Sequence, residues 1–237
     1  MRARGFTAVM NVRRSPPKVL DYFPTPPWGT RAGAELIRSL DGCANGAAPG
    51  ITISEPACGG GHMAHVLADE FGLDNVAPSD VFDYGWQHEV ADFLSPDWGA
   101  YRPAPDWIIT NPPFKVAEQF ALLALKRARR GVALLLRANF AEGGGRYERL
   151  FRPHPPTVEA IFCDRLPMVE GRWDPEASTA TAYSWFIWTL PGEGVRWGDG
   201  YTERRWIAPG TRDGLWKPDD VRRFVPMAPA PLLERLA

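Results

Sequence analysis

Asn111-Pro112-Pro113-Phe114 separates an apolar run from an amphipathic one and leaves the chain few ways to fold around it. Trp107-Ile108-Ile109-Thr110, just before it, reads as a short buried strand. Residues 115–130, just after it, have helical spacing. They carry Lys126, Arg127, Arg129 and Arg130 near the end, where cations complement the helix dipole or meet phosphate. A rigid loop thus sits where a strand hands over to a helix, which is where open α/β sheets bind ligands. Two consecutive prolines fix φ twice and push Asn111 and Pro112 towards extended backbone. Neither proline has an N–H, so the loop has few donors of its own. The Asn111 side-chain oxygen and the Pro112 carbonyl are left as outward acceptors, with the Phe114 ring beside them. Two acceptors and a ring suit a flat group bearing an NH2, such as adenine.

The chain before this loop repeats the strand-to-helix handover. Ile51-Thr52-Ile53-Ser54 reads as a buried strand, Glu55-Pro56-Ala57-Cys58-Gly59-Gly60-Gly61 as a turn, and residues 62–71 as a helix. Gly59 and Gly61 allow a ligand close to the backbone. A full G-x-G-x-x-G pattern is absent because Ala64 stands at its last position, and no Lys-Ser/Thr follows, which excludes a phosphate-cradling P-loop. Residues 75–80 form the second expected strand, ending in Asp80, about 20 residues beyond the glycines, where a carboxylate meets ribose hydroxyls. Residues 87–91 form a short third strand ending in Asp92-Phe93, an acid and a ring suited to an adenine; a turn cap is the competing role for Asp92. Upstream of all these, Asp21-Tyr22-Phe23-Pro24-Thr25-Pro26-Pro27-Trp28 is another rigid aromatic loop, followed by a helical pattern over residues 29–40.

The second half continues with a strand over residues 131–136, a glycine-rich loop at 141–145, a short helix at 146–151, and strands at 158–163 and 182–188. The last two look antiparallel. Residues 166–181 form a polar loop with Arg172 and Trp173. Beyond residue 190 the chain is rich in Pro, Gly, Arg and Trp (Trp197, Trp206, Trp216), with little regular pattern except a helix at 231–236. Such tryptophans either stack on bases or pack over the core, and packing is the favoured expectation. Residues 1–118 carry 9 Lys and Arg against 14 Asp and Glu, a net −5; residues 119–237 carry 18 against 14, a net +4. The basic half suits a polyanion.

Several classes drop out. No apolar run is long enough to cross a membrane. The basic start, Met1-Arg2-Ala3-Arg4, lacks a signal-peptide core, and three scattered cysteines argue against a disulfide framework, so a cytoplasmic protein is expected. His62 and His65 have no converging Cys or His partners, so no metal is expected, and Cys58 reads as a small packed residue.

Taken together, in this order and spacing, these stretches resemble the S-adenosylmethionine-dependent methyltransferases, and more closely the DNA adenine-N6 methyltransferases whose methionine-side motif comes first. The resemblance spans residues 21–190. It implies an α/β fold: a Rossmann-like seven-stranded sheet, mostly parallel with one antiparallel strand and helices on both faces. An arm over residues 1–20 would precede this domain, and a tail over 191–237 would pack on it. The cofactor implied is S-adenosylmethionine, held by Pro24, Thr25, Glu55, Ala57, Gly59, Gly61, Asp80, Asp92, Phe93 and Asn111. Asn111, Pro112, Pro113 and Phe114 are the implied catalytic residues and double-stranded DNA with a flipped adenine the implied partner, in a bacterial or phage-infected cell. The family more often has tyrosine at position 114, and many members carry a large recognition domain, for which loops and a tail of about 45 residues are the expected counterpart here. RNA methylation at adenine N6 or guanine N2 uses similar loops, and protein-glutamine methylation is a more distant alternative.

Overall fold

Alternation along the central strands dictates cover on both faces. In residues 131–136, Ala133 and Leu135 point to one side and Val132, Leu134 and Leu136 to the other, and all are buried. The computed structural model describes residues 21–40, 51–100, 103–189 and 201–225. Its strands are β1 (Ile53–Glu55), β2 (Val76–Asp80), β3 (Glu89–Val90), β4 (Trp107–Thr110), β5 (Gly131–Arg137), β6 (Val158–Phe162), β7 (Tyr183–Thr189) and β8 (Glu203–Ile207). They form one sheet in the order β3-β2-β1-β4-β5-β7-β6-β8. Every pairing is parallel except those of β7, which runs antiparallel to β5 and β6. One strand is therefore reversed, as the resemblance implies, and the two strands that look antiparallel in sequence, β6 and β7, do run antiparallel to each other.

The helices are α1 (Pro27–Leu40), α2 (His62–Phe71), α3 (Ala117–Arg127), α4 (Gly144–Arg146, continued by a π-turn at Tyr147–Phe151), α5 (Thr211–Leu215) and α6 (Asp219–Phe224). Ile37 of α1 and Met63 and Leu67 of α2 pack with Trp107, Ile109 and Trp185 on one face. Phe120, Ala121 and Ala124 of α3 pack with Ile108, Leu134 and Phe186 on the other. Gly33 lets α1 reach the sheet: a Cβ there would lie 2.5 Å from the Trp185 ring. That ring in turn donates its Nε1–H to the Gly29 carbonyl at 3.0 Å.

The sheet has eight strands where seven are expected, and it continues past residue 190, where the sequence pattern ends the domain. Glu203-Arg204-Arg205-Trp206-Ile207 is an edge strand with only Ile207 buried, so its charges conceal its period. Trp206 is 67% exposed and departs from the packed tryptophans expected of the tail, whereas Trp216 lies against the core. A buried ion pair from Arg31 of α1 to Asp220 of α6 also ties this segment down. The arm at 1–20, the connection at 41–50, Trp197 and the helix expected at 231–236 lie outside the described residues.

Candidate active site

From β1 the chain moves outward to β2 and β3; from β4 it moves the other way to β5. The carboxyl ends of β1 and β4 therefore border the crevice where strand order reverses, the usual ligand position in such sheets. A cavity of about 360 Å³ opens there, within the range of small-molecule sites. Glu55 at the end of β1, Asp80 at the end of β2 and Asn111 just past β4 all line it. So do Pro24, Thr25, Ala57, Asp92, Phe93 and Pro113.

The other expected residues stand behind or beside this wall. Gly59 and Gly61 adopt φ of +50° and +87° and shape the turn without lining the cavity. A Cβ on Gly59 would meet the Tyr22 ring at 2.3 Å, so the glycine admits Tyr22 to the turn. The Tyr22 hydroxyl accepts the Gly60 N–H at 3.0 Å. Asp80 accepts the Gly59 N–H and the Phe82 N–H, each at 2.9 Å, which welds the turn to the end of β2. Asp92 accepts the Leu94 N–H at 2.8 Å, so it caps a turn and also faces the cavity. Phe93 is almost wholly buried, its ring 4.7 Å from Phe120 and 4.8 Å from Trp98. Pro112 is buried and not part of the cavity wall.

The side chain of Asn111 is oriented by chemistry alone. Its Nδ2 donates to the Phe23 carbonyl at 2.8 Å and to Thr25 Oγ1 at 3.1 Å. A carbonyl can only accept, so the group facing Phe23 must be the NH2 and not the oxygen. Oδ1 is therefore turned away from Phe23, as an acceptor. Phe114 lies on the far side of the loop. Its ring is 5.5 Å from Phe23 and 6.0 Å from Tyr183, and the Arg137 guanidinium lies 4.6 Å over it. It borders a second cavity of about 190 Å³ with Leu136, Arg137, Asn139, Phe140 and Arg146.

The main cavity is electronegative. Asp21, Glu55, Asp80 and Asp92 line it, against one cation, Lys115. Burial, reinforced by the neighbouring Asp80, holds the Glu55 carboxyl well above the usual carboxylate range, although the Ala64 amide opposes the shift. Burial likewise raises Asp80, against the amides of Phe82, Gly59 and Val81. Glu55 Oε2 is buried with no hydrogen-bond partner among the described residues. An orphaned acceptor in an acidic cavity suits a cationic ligand. Burial also raises the Cys58 thiol, which keeps it protonated and unreactive. Among the described residues no group of three His, Cys, Asp or Glu side chains could hold a metal, and no helix is long and apolar enough to cross a membrane.

Sequence reasoning passed over Asp21 and Tyr22 as site residues, and also Tyr84, which lines the cavity. Arg137 and Asn139, beside Phe114, carry no motif that would have drawn attention to them.

No family model matches the chain, and neither does any curated protein. Solved structures do. One is described as a candidate class I S-adenosylmethionine-dependent methyltransferase from Listeria monocytogenes; it matches at 13% identity and a TM-score of 0.55, over 81% of this chain and 69% of that one. Another is the methyltransferase subunit of a type I restriction-modification system from Streptococcus thermophilus, at 13% identity and a TM-score of 0.50. That match covers 70% of this chain but spans only 44% of the subunit. Likeness at this identity is one of fold: the chain has the Rossmann-like α/β fold of these methyltransferases.

Proposed function

We propose that the protein transfers a methyl group from S-adenosylmethionine to the exocyclic N6 amine of adenine in DNA. The observation that carries the reading is Asn111. Its amide nitrogen is bound by Phe23 and Thr25, which leaves its oxygen as an acceptor beside an acidic cavity at the switch point of the sheet.

S-adenosylmethionine supplies a methyl group already activated on a sulfonium. The residues present fit it. Glu55, with its unpartnered oxygen, and the nearby Asp80 are acids whose charge burial opposes in the ligand-free protein and a cationic ligand would draw out. Asp80 and Asp92 are the acids for ribose and adenine, and Pro24, Thr25, Ala57 and Phe93 complete the wall, with Gly59 and Gly61 shaping the turn behind it.

On the acceptor side, the amine of adenine is a poor nucleophile because its lone pair is spread into the ring. Asn111 Oδ1 accepts one of its hydrogens. The carbonyl of Pro112, a residue buried in the ligand-free protein, is the acceptor for the other once the base is seated, so that together they draw the nitrogen towards tetrahedral geometry. The same oxygens stabilise positive charge as it develops on that nitrogen. Phe114 offers a ring for the base, and Pro113 holds the loop rigid. Positioning carries most of the rate. An adenine within a duplex must first be flipped out, at on the order of a few kcal/mol. The basic second half supplies contacts to the DNA backbone. The setting is the cytoplasm of a bacterial or phage-infected cell, as in restriction-modification.

The test is labelled S-adenosylmethionine offered with unmethylated DNA, total RNA or a protein extract. N6-methyladenine in DNA, abolished by Asn111→Ala, is expected. Label confined to RNA or protein would replace the acceptor in this reading, and label nowhere would end it.

A further inference from the structure

We propose that Asp21 is a positioning residue for methyl transfer: its carboxylate fixes the Phe114 amide and, through it, the path of the Asn-Pro-Pro-Phe loop. The inference rests on the reading above and adds to it a residue outside the four-residue motif.

The loop has an unusual shortage of anchors. Pro112 and Pro113 have no N–H, so after Asn111 the Phe114 N–H is the first backbone donor the loop offers. It donates to Asp21 Oδ2 at 2.9 Å. Both proline φ angles are locked by their rings. The peptide plane between Pro113 and Phe114 is then set mainly by the ψ of Pro113, 125°, and the Asp21 bond holds it there. A carboxylate accepting from an amide at the start of the short helical turn Phe114–Val116 is a charge-assisted bond, stronger than a neutral one.

Asp21 also holds an unfavourable backbone conformation. Among the described residues it is the non-glycine residue with positive φ, +54°. Aspartate tolerates this region better than most side chains, yet it remains unfavourable. Such strain persists only where neighbouring contacts enforce it, and it concentrates at functional sites. The neighbours here are firm. The Tyr22 carbonyl accepts the Gly171 N–H at 2.8 Å, the Tyr22 hydroxyl holds Gly60, and the Phe23 carbonyl holds Asn111. With Tyr22 and Phe23 fixed to three other segments, the Asp21 carboxylate is held within reach of the Phe114 amide. Asp21 also lines the main cavity beside Asn111. One short segment therefore holds both ends of the loop, with Phe23 and Thr25 on Asn111 and Asp21 on Phe114.

The test compares Asp21→Ala, Asp21→Asn and Asp21→Gly with the wild type. The readouts are single-turnover methyl transfer at saturating acceptor, S-adenosylhomocysteine affinity by calorimetry, Tm, and hydrogen exchange at the Phe114 amide. Alanine and glycine are expected to slow transfer by roughly 10- to 100-fold, the effect of a misplaced reacting group. S-adenosylhomocysteine affinity should fall much less than the rate, since Asp21 is one of many residues lining the cavity whereas, among the described residues, it alone holds the Phe114 amide. The Phe114 amide should exchange faster in both. Asparagine keeps an acceptor oxygen and should recover a large part of the rate. Glycine relieves the strained φ, so its Tm should not fall, which keeps the test valid if the alanine variant folds poorly. Unchanged transfer in Asp21→Ala and Asp21→Gly would overturn the proposal. So would losses that merely follow Tm or product affinity, or an asparagine variant as slow as alanine. If the wild type methylates RNA or protein instead of DNA, the adenine reading fails while Asp21 is judged on that acceptor, because the same loop is used. If the wild type methylates nothing, both fail.

Discussion

The amide nitrogen of Asn111 donates to the Phe23 carbonyl at 2.8 Å, across 88 residues of sequence, and Thr25 Oγ1 shares the same NH2 at 3.1 Å. With Met168 Sδ at 3.5 Å as a weaker third, these acceptors hold the carboxamide in a single orientation. Thr25→Val keeps the shape of a side chain that is 2% exposed but removes one acceptor. A neutral hydrogen bond of this kind contributes about 0.5–1.5 kcal/mol. Methyl transfer should therefore slow by roughly 3- to 10-fold, with Asn111→Ala as the lower reference. A valine variant as fast as wild type would show that the Phe23 carbonyl and Met168 Sδ suffice without Thr25.

How much of this was legible in the sequence follows from where the information resides. Strand β4 and helix α2 occupy the residues their periodicity predicts, because each is an uninterrupted apolar or amphipathic run. Asp80 could be picked out as an acid ending a strand about 20 residues beyond the glycines, and Glu55 through the family resemblance of its turn; both face the cavity. Asp21 could not be assigned: its role depends on a partner 93 residues away and on a backbone angle that no local pattern encodes. The third strand shrinks to Glu89–Val90 because both residues are polar or half-exposed, and β8 is hidden by the charges of an edge strand. Phe93 reads from sequence as a stacking ring, whereas its packing among Phe120, Trp98 and Arg127 makes it equally a core residue.

Glu55 gives the cavity a pH dependence whose sign can be worked out. Its folded-state pKa is raised, so the fold favours the protonated form. In the ligand-free protein this contribution to stability is fully present below the ordinary glutamate value of 4.5 and is lost as pH rises through the raised value. A cationic ligand reverses the preference by favouring the carboxylate. Affinity for S-adenosylmethionine should therefore increase with pH, with release of a proton, and Glu55→Gln should flatten that dependence. Calorimetry in two buffers of different ionisation enthalpy reads both quantities. Equal pH profiles for wild type and Glu55→Gln would show that Glu55 does not titrate against the ligand.

Arg31 and Asp220, each 3% exposed, meet through two bonds of 2.6 and 2.7 Å and join α1 to α6. Removing one partner strands the other charge in the interior. Asp220→Ala should cost about 3–5 kcal/mol, towards the lower end because the Leu215 carbonyl and Glu70 remain near Arg31, at 2.9 and 3.8 Å. Arg31→Met combined with Asp220→Leu should recover much of the loss, since an apolar pair of similar volume avoids the desolvation cost. Urea unfolding of the three proteins decides the matter. A single variant within about 1 kcal/mol of wild type would mean that water reaches Arg31 and solvates it.

His65 makes an acid-sensitive contribution next to the glycine turn. Its ring lies 5.0 Å from the Trp86 ring and 6.3 Å from that of Phe224. Burial, helped by the Arg223 charge and opposed by Asp69, lowers its pKa from 6.5 to about 4. The fold thus favours the neutral imidazole. The associated stability is present above 6.5 and is lost as pH falls towards 4, because the unfolded chain takes up its proton first. Full loss corresponds to about 2–3 kcal/mol, allowing for the partial access of solvent to the ring. His65→Gln cannot titrate and should be less stable than wild type at pH 7.5 by a margin that narrows at pH 5. Denaturant unfolding of both proteins at the two pH values measures that margin. A difference that stays constant would locate the acid sensitivity of this region in another group.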